Sequence, residues 1–505
     1  MAYLNPMLRR TFERTIQQAR AAAETGAADA LRRLGVAEPR RPAHLTEAQG
    51  QLRNRLRAHA RALGDARSPD GTQTIDRLIE QAAYVQWHRL LFARFLLERR
   101  LLRHPEDGGD LTLLDCREEA SALGLADEWA AAAHYTARLL PGVFPPDDPV
   151  ESVSLAPEHA RALRQHLLSL EAAIFAADDS LGWTYQFWRA AEKKAVNDRQ
   201  VKIGAAELPA VTQLFTEPYM VKFLLHNTLG AWWAGKVLAA KPDLAHNALD
   251  EEALRKACAL PGVEWDYLRF VREDEDKGPW RPAAGTFPDW PAHAAEITYL
   301  DPCCGSGHFL VEAFYILAAL RQAEEGLTPE KAARAVLRDN LHGLEIDGRC
   351  VQIAAFNVAL AAWRLVGGPL KLPVPHIAWV GAPPPLPKSE FVALGSGDPE
   401  LQRGLAALHD LFRQAPLLGS LIEPTGGDLI DPVRIARVEE MLEPVIELAR
   451  AAEPERAEGA IAARGMADAA TILTVTARPT PPRSTLLYPA LPWMSGFMKD
   501  VRQPC

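Results

Sequence analysis

The 505-residue sequence has little cysteine, no long apolar run and no excess of basic residues. Its six cysteines are scattered without a C-x-x-C pair, and the adjacent Cys303 and Cys304 do not suit two ligands of one tetrahedral metal. We therefore expect reduced, mostly buried thiols and no metal site. No stretch approaches the roughly 18 consecutive apolar residues of a membrane span. The N-terminus also lacks the apolar segment of a secretory signal, so we expect a cytoplasmic protein without membrane contact.

What the sequence does contain is an ordinary globular composition, with 48% hydrophobic and 24% charged residues. At roughly 150 residues per domain, the length allows about three domains. The net charge of −9 excludes a uniformly basic coat for nucleic acid. The first 60 residues, however, carry 11 Arg against 5 acidic residues. This local excess suits either contact with a phosphate backbone or a solvated helix face in an arginine-rich protein.

The order of patterns along the chain predicts an α/β protein. Apolar residues at three- and four-residue intervals indicate helices to about Leu170. Further on, short strands predicted at 297–300 and 341–347 alternate with long apolar helices that begin at His308 and Arg349. Strands that alternate with helices are typical of a parallel, doubly wound sheet.

The most informative feature is a glycine turn between the first of these strands and its helix. Asp301 stands at the end of the strand, and Gly305 and Gly307 lie in the turn. Glycine suits places where the backbone bends sharply and a ligand lies against it. An acid at the end of the next strand, Glu345, is placed to accept hydrogen bonds from the two hydroxyls of a ribose. The turn differs from the dinucleotide pattern G-x-G-x-x-G, because residue 310 is leucine.

The residues of this turn resemble a known family. The string D-P-C-C-G-S-G-H-F-L at 301–310 is similar to the D-P-A-C-G-S-G-x-F-L motif of N6-adenine DNA methyltransferases, with Cys303 in place of the usual alanine. The resemblance implies that the loop holds the methionine part of S-adenosylmethionine and that Glu345 holds its ribose. The loop residues that the resemblance implies as cofactor contacts are Asp301, Pro302, Cys304, Gly305, Gly307 and Phe309.

Two strings upstream narrow the resemblance. T-Q-L-F-T-E-P at 212–218 is similar to the F-T-P motif of these enzymes, which implies cofactor contacts for Phe215 and Thr216. Glu217 is an extra residue in this motif, and Thr216 is also predicted to cap the helix that follows. L-G-W-T-Y-Q-F-W at 181–188 resembles the L-G-W-x-Y-Q-x-W segment of the PglX-type methyltransferases of BREX phage-defence systems. The alternative interpretation of this aromatic string is a core helix with a polar rim.

The catalytic motif of the family is degenerate in this sequence. Adenine methylation needs acceptors for the exocyclic amine and an aromatic ring that stacks on the flipped base. The family supplies them with Asn/Asp-Pro-Pro-aromatic, and the nearest string here is A-L-P-W at 490–493. Trp493 would stack on the base and the carbonyl of Leu491 or Pro492 would accept one hydrogen bond, but Ala490 stands where the family has Asn or Asp. We expect a truncated or frame-shifted member, or one whose remainder is a separate polypeptide.

The resemblance implies a site-specific DNA methyltransferase that transfers a methyl group from S-adenosylmethionine to adenine N6, in phage defence or restriction–modification. The expected partners are double-stranded DNA and either other phage-defence proteins or a missing C-terminal part. Two alternatives stay open: a non-catalytic remnant that binds the cofactor or DNA, and a methyltransferase for RNA or a protein amide. The predicted regions are a helical N-terminal region (1–175), a linking helical region (176–295), a partial Rossmann-like core (296–473) and a Pro-rich tail (474–505).

Overall fold

The computed structural model describes most of residues 4–422 and none of 423–505. The tail with Ala490, Pro492 and Trp493 therefore lies outside the described residues, as does Phe215. The gaps within 4–422 are 105, 107, 141–142, 145–147, 178–179, 200–215, 273–277, 286, 288–289, 383, 385–387, 394 and 396–398.

The described residues form a helix-rich α/β structure with two small sheets, one parallel and one antiparallel. The strands are β1 (Phe270–Arg272), β2 (Trp280–Pro282), β3 (Tyr299–Asp301), β4 (Leu341–Glu345) and β5 (His376–Trp379). The helices are α1 (Pro6–Arg33), α2 (Glu47–Ala62), α3 (Asp76–Glu98), α4 (Leu113–Ala122), α5 (Glu128–Leu139), α6 (Pro157–Leu168), α7 (Ala172–Ala176), α8 (Ser180–Trp188), α9 (Ala190–Arg199), α10 (Pro218–Leu225), α11 (Ala231–Ala240), α12 (Pro242–Asn247), α13 (Glu251–Ala257), α14 (His308–Glu325), α15 (Pro329–Ala335), α16 (Gly348–Val366), α17 (Lys388–Ala393), α18 (Pro399–Phe412) and α19 (Ala415–Leu418).

The N-terminal part is helical, as the apolar spacing predicts. Helix α1 begins after Asn5, whose side chain accepts the N–H groups of Met7 and Leu8. Its buried face, which includes Phe12 and Ile16, packs against α3, α6 and α8. Burial of a continuous apolar stripe along a 28-residue helix is what holds these helices together.

Two arginines of the basic N-terminal end are structural. Arg53 donates to the carbonyl oxygens of Gly35 and Glu38, and Arg57 donates to those of Val36 and Gly71. Both guanidinium groups are buried. Arg53 and Arg57 therefore neither contact a phosphate backbone nor belong to a solvated helix face. Instead, they link the loop after α1 to helix α2.

The linking region differs from its prediction in two details. The sequence predicts a helical region over 176–295, but β1 and β2 pair within it as an antiparallel ribbon. Strands of three residues are too short for an alternating pattern to be visible in the sequence. The predicted cap at Thr216 is also wrong. Helix α10 begins at Pro218, and Glu217 takes the cap position without a side-chain hydrogen bond.

The parallel sheet has the strand order β3-β4-β5, and its first two strands match the predicted ones to within two residues. Tyr299 pairs with Leu341, and Glu345 pairs with Trp379. Helix α14 follows β3 and helix α16 follows β4, so the alternation of strands and helices is as expected. The carboxyl ends of all three strands meet at one edge.

Helix α16 lies between two hydrophobic cores. Cys350 and Phe356 belong to the core of the N-terminal helices, whereas Ala354 and Val358 belong to the core around the parallel sheet. Among the described residues, this helix alone is long and apolar enough to cross a membrane, but 61% of the relevant stretch is buried inside the protein. Its apolar character is explained by packing on two sides.

Candidate functional site

Two carboxylates end adjacent parallel strands. Asp301 is the last residue of β3 and pairs with Gly343, while Glu345 is the last residue of β4. The carboxyl edge of an open parallel sheet is where such folds bind ligands. The structure therefore brings both predicted acids to the edge at which a ligand is expected.

The glycine turn connects β3 to α14 and is held against β4. The backbone N–H of Cys304 donates to the carbonyl of Leu344 at 3.0 Å. Gly305 and Gly307 have φ angles of 53° and 87°, in the left-handed region that favours glycine. A Cβ on Gly307 would lie 3.1 Å from Cα and Cβ of Ala354 in α16, so this glycine permits close helix packing. A Cβ on Gly305 would meet nothing within 4 Å, so its bare backbone faces open space.

The side chain of Glu345 joins the turn to the loop that follows β4. Oε2 accepts the N–H of Gly305 at 2.8 Å, and Oε1 accepts the N–H of Asp347 at 3.0 Å. Only 5% of Glu345 is exposed, and this burial raises its pKa to about 7 despite the two donors. A buried carboxyl with further acceptor capacity is suited to bind hydroxyl groups.

Asp301 is the second acid of the site. Its Oδ1 accepts the N–H of Cys303 at 3.1 Å, and desolvation raises its pKa to about 6. Burial thus disfavours ionisation of both acids near neutral pH. A ligand with a positive group beside Asp301 would offset that cost.

The other predicted cofactor residues of the loop lie in different environments. Pro302 and Phe309 are half-buried, and the ring of Phe309 packs against the core around the sheet. Cys304 is buried, so only its backbone is available to a ligand. Thr216 is half-buried at the start of α10, which packs against α14.

The five cysteines that the structure describes form no disulfide bond with one another. Four of the five are buried, as expected, and Cys303 is exposed. Within the described ranges, His, Cys, Asp and Glu form no group of three that could hold a metal ion.

Three further residues lie at the site and are not among those that the sequence predicts. Asp347 caps α16 by accepting the N–H of Arg349 at 2.9 Å. Trp379 at the end of β5 donates its indole N–H to the carbonyl of Ile346 at 3.0 Å. Ser420 lies with its Oγ 3.8 Å from Sγ of Cys303. The short apolar run that ends in Trp379, after helix α16, is the signal that would have predicted β5.

The glycine turn and the first two strands of the parallel sheet, β3 and β4, lie in the part of the chain that matches a known methyltransferase domain. Residues 288–366 match the family described as MmeI, DNA-methyltransferase domain. That range includes Asp301, both turn glycines and Glu345.

Longer matches are to curated adenine-specific methyltransferases. The chain is 25% identical over 410 residues to the adenine-specific methyltransferase PglX of Lacticaseibacillus casei (strain Zhang), covering 74% of this chain and 33% of the relative. It is 28% identical over 322 residues to the adenine-specific methyltransferase BrxX of Escherichia coli O9:H4 (strain HS), covering 57% of this chain and 25% of the relative. A PglX of Streptomyces coelicolor (strain ATCC BAA-471 / A3(2) / M145) is 38% identical over 73 residues, which cover 14% of this chain and 6% of that protein.

These matches confirm the resemblance to PglX-type adenine-specific methyltransferases. The chain spans about a quarter to a third of the length of the first two relatives.

Proposed function

We propose that this chain is an adenine-specific DNA methyltransferase of the PglX type. It transfers a methyl group from S-adenosylmethionine to N6 of adenine in double-stranded DNA, in the cytoplasm, as part of phage defence or restriction–modification. The observation that carries the proposal is the pair Asp301 and Glu345, which end adjacent parallel strands on either side of a glycine turn. Sequence similarity to PglX and BrxX supports the choice of adenine.

The proposed core is Rossmann-like, and the residues present fit the cofactor. Gly305 leaves open backbone beside the turn, Glu345 has acceptor capacity for the ribose hydroxyls, and Asp301 lies where the positively charged methionine part would be held. Thr216, Phe215 and Phe309 complete the proposed contacts. The bound cofactor supplies a methyl group on a sulfonium. With the cofactor bound there, the lone pair of adenine N6 would form the new N–C bond as the C–S bond broke, the electron pair of the C–S bond would stay on sulfur, and the N6 proton would pass to solvent water.

The proposed base site uses the tail. Trp493 stacks on the flipped adenine, and the carbonyl of Pro492 accepts a hydrogen bond from its amine. Exposed arginines near the start of α1, Arg10 and Arg14, are the proposed contacts with DNA phosphates from the described residues. Other phage-defence proteins or a further C-terminal part are the proposed partners.

The test is transfer of a labelled methyl group. The purified chain is incubated with S-adenosyl-[methyl-³H]methionine and unmethylated double-stranded DNA, and the DNA is hydrolysed to nucleosides. Label in N6-methyl-2′-deoxyadenosine that depends on Glu345 supports the proposal. Label in cytosine, RNA or protein instead would contradict the choice of adenine in DNA.

A second candidate function is favoured by Ala490. A remnant of the same family would bind the cofactor or DNA without transferring methyl, because alanine offers no side-chain acceptor to orient the amine. Loss of such a hydrogen bond costs on the order of 10²–10³ in rate. Ala490→Asn distinguishes the two functions, since activity gained only in this variant identifies the natural chain as the non-catalytic form.

A further inference from the structure

The aromatic string 181–188 contacts the ligand edge of the sheet through one hydroxyl. It forms helix α8, and all its side chains except the half-buried Gln186 are buried, which favours the core-helix interpretation for most of them. Tyr185 differs, because its hydroxyl donates to Oδ2 of Asp347 at 2.5 Å. This contact joins the N-terminal helices to the loop that follows Glu345.

Three hydrogen bonds in series lead from Tyr185 to the glycine turn. The Tyr185 hydroxyl donates to Asp347, the backbone N–H of Asp347 donates to Glu345 at 3.0 Å, and Glu345 accepts the N–H of Gly305 at 2.8 Å. Each bond involves a carboxylate, the class of protein hydrogen bond that is shortest and strongest. The series runs through four residues and links Tyr185 to Gly305, which are 120 positions apart in the sequence.

The Tyr185 hydroxyl is fixed as a donor. Burial and the neighbouring Asp347 raise the pKa of Tyr185 well above its usual value, so the hydroxyl keeps its proton. Only 1% of the residue is exposed, and its ring makes an edge-to-face contact with Tyr84 at 5.7 Å. Tyr84 in turn donates to the carbonyl of Arg349 at 3.3 Å, in the first turn of α16. The ring therefore has little freedom to turn its hydroxyl away from Asp347.

Asp347 has two further constraints that make its position critical. Its Oδ1 caps α16 by accepting the N–H of Arg349, while Oδ2 accepts the Tyr185 hydroxyl, so both oxygens are held. Its backbone N–H then sets the orientation of the Glu345 carboxylate. A displacement of Asp347 would leave Glu345 with one donor in a buried environment.

We propose that Tyr185 is a positioning residue for the cofactor: through Asp347 it fixes the carboxylate of Glu345 for binding the ribose. The proposal rests on the proposed function in that its ligand is S-adenosylmethionine. It gives the aromatic string a role in ligand binding in addition to its place in the core. Removal of the Tyr185 hydroxyl is therefore expected to weaken ligand binding, although the hydroxyl does not contact the ligand.

The test is a double-mutant cycle on ligand affinity. S-Adenosylmethionine is titrated calorimetrically into the full wild-type chain, Tyr185→Phe, Asp347→Asn and the double variant. Asparagine keeps the helix cap, because its amide oxygen still accepts the Arg349 N–H. We expect Tyr185→Phe to weaken binding about tenfold in the wild-type background, the size of one lost hydrogen bond to a charged group. In the Asp347→Asn background, the same change is expected to alter affinity less than about twofold.

The matched control is Tyr135→Phe. Tyr135 is equally buried, at 1% exposure, and donates its hydroxyl to Oε2 of Glu119 at 3.2 Å, within the N-terminal helices. The Tyr135→Phe variant loses the same atom and a hydrogen bond to the same kind of partner. It therefore measures the effect of losing a buried hydroxyl on stability alone. Its affinity for S-adenosylmethionine is expected to equal that of the wild type.

Unchanged affinity in Tyr185→Phe, or an equal loss in both backgrounds, overturns the proposal, as does an equal loss in Tyr135→Phe. Wild-type chain that does not bind S-adenosylmethionine would instead count against the proposed function. Hydrogen exchange of the peptide that holds Gly305 gives a second measurement, needed if Tyr185→Phe does not fold. Faster exchange in Asp347→Asn than in the wild type supports the link, and equal exchange contradicts it.

Discussion

Glu345 accepts the backbone N–H of Gly305 at 2.8 Å. The acid that ends strand β4 is therefore hydrogen-bonded to the glycine turn that follows the adjacent strand β3. The contact holds the buried carboxyl of Glu345 against the glycine turn. That burial costs stability whenever the carboxyl is ionised, which makes the acid detectable in the unfolding behaviour of the protein.

The first prediction concerns stability and pH. The pKa of Glu345 is raised to about 7 in the folded chain, so the unfolded state binds fewer protons than the folded state between its ordinary pKa and about 7. Stability from this group is present at low pH and lost as the pH rises through that window. The loss amounts to about 3 kcal/mol. Urea unfolding at pH 5 and pH 8 measures it. Glu345→Gln should show a smaller difference between the two pH values, and an unchanged difference would refute the assignment.

The second prediction concerns ligand affinity and pH. Burial also raises the pKa of Asp301, to about 6, so at low pH both acids of the site are protonated. S-Adenosylmethionine carries positive charges that an ionised carboxylate attracts. Calorimetric titration should therefore give a dissociation constant about tenfold higher at pH 5.5 than at pH 8. Equal affinity at both pH values would show that neither Asp301 nor Glu345 contacts the ligand.

The third prediction concerns the backbone of Gly307. Alanine there is strained by the left-handed φ of 87° and also contacts Ala354 at 3.1 Å. The control is Gly326→Ala, which has a φ of 67° with nothing within 4 Å of the new Cβ. Both variants should lose about 1–2 kcal/mol from strain, but only Gly307→Ala should lose more from the contact with α16. Equal losses in the free energy of unfolding, measured with urea, would mean that α16 moves to accommodate the new methyl group without loss of stability.

The fourth prediction concerns the buried arginines. Arg57→Met keeps an unbranched apolar stem at this position but leaves the carbonyls of Val36 and Gly71 without this donor. We expect a loss of about 3 kcal/mol in the free energy of unfolding. The exposed Arg14→Met should change it by less than about 0.5 kcal/mol. A small effect of Arg57→Met would indicate that the loop after α1 is held by other contacts.

Much of the site was predictable because its signals are local. Three features can be recognised from ten or fewer consecutive residues each. They are the strand that ends in Asp301, the turn with Gly305 and Gly307, and the start of the long apolar helix. The acid at the end of the next strand follows from the rule that parallel strands present their carboxyl ends at one edge. These features require no knowledge of distant contacts.

The rest depends on contacts between distant residues. The bond between Tyr185 and Asp347 joins positions 162 apart, and nothing near Tyr185 in the sequence indicates its partner. The partners of Arg53 are equally hard to predict, because an arginine that binds carbonyl groups and an arginine that binds phosphate can stand in the same local sequence pattern. The ribbon of β1 and β2 escaped prediction because three-residue strands carry almost no periodicity.

We propose that Asp301, the glycine turn and Glu345 together form a site for S-adenosylmethionine. Calorimetric titration of the purified full chain with S-adenosylmethionine at pH 8 tests it, with Asp301→Ala as the variant and circular dichroism as the check of folding. We expect one saturable site in the wild type and loss of binding in the folded variant. A folded wild-type chain that shows no binding, or an Asp301→Ala chain that binds equally well, would contradict it.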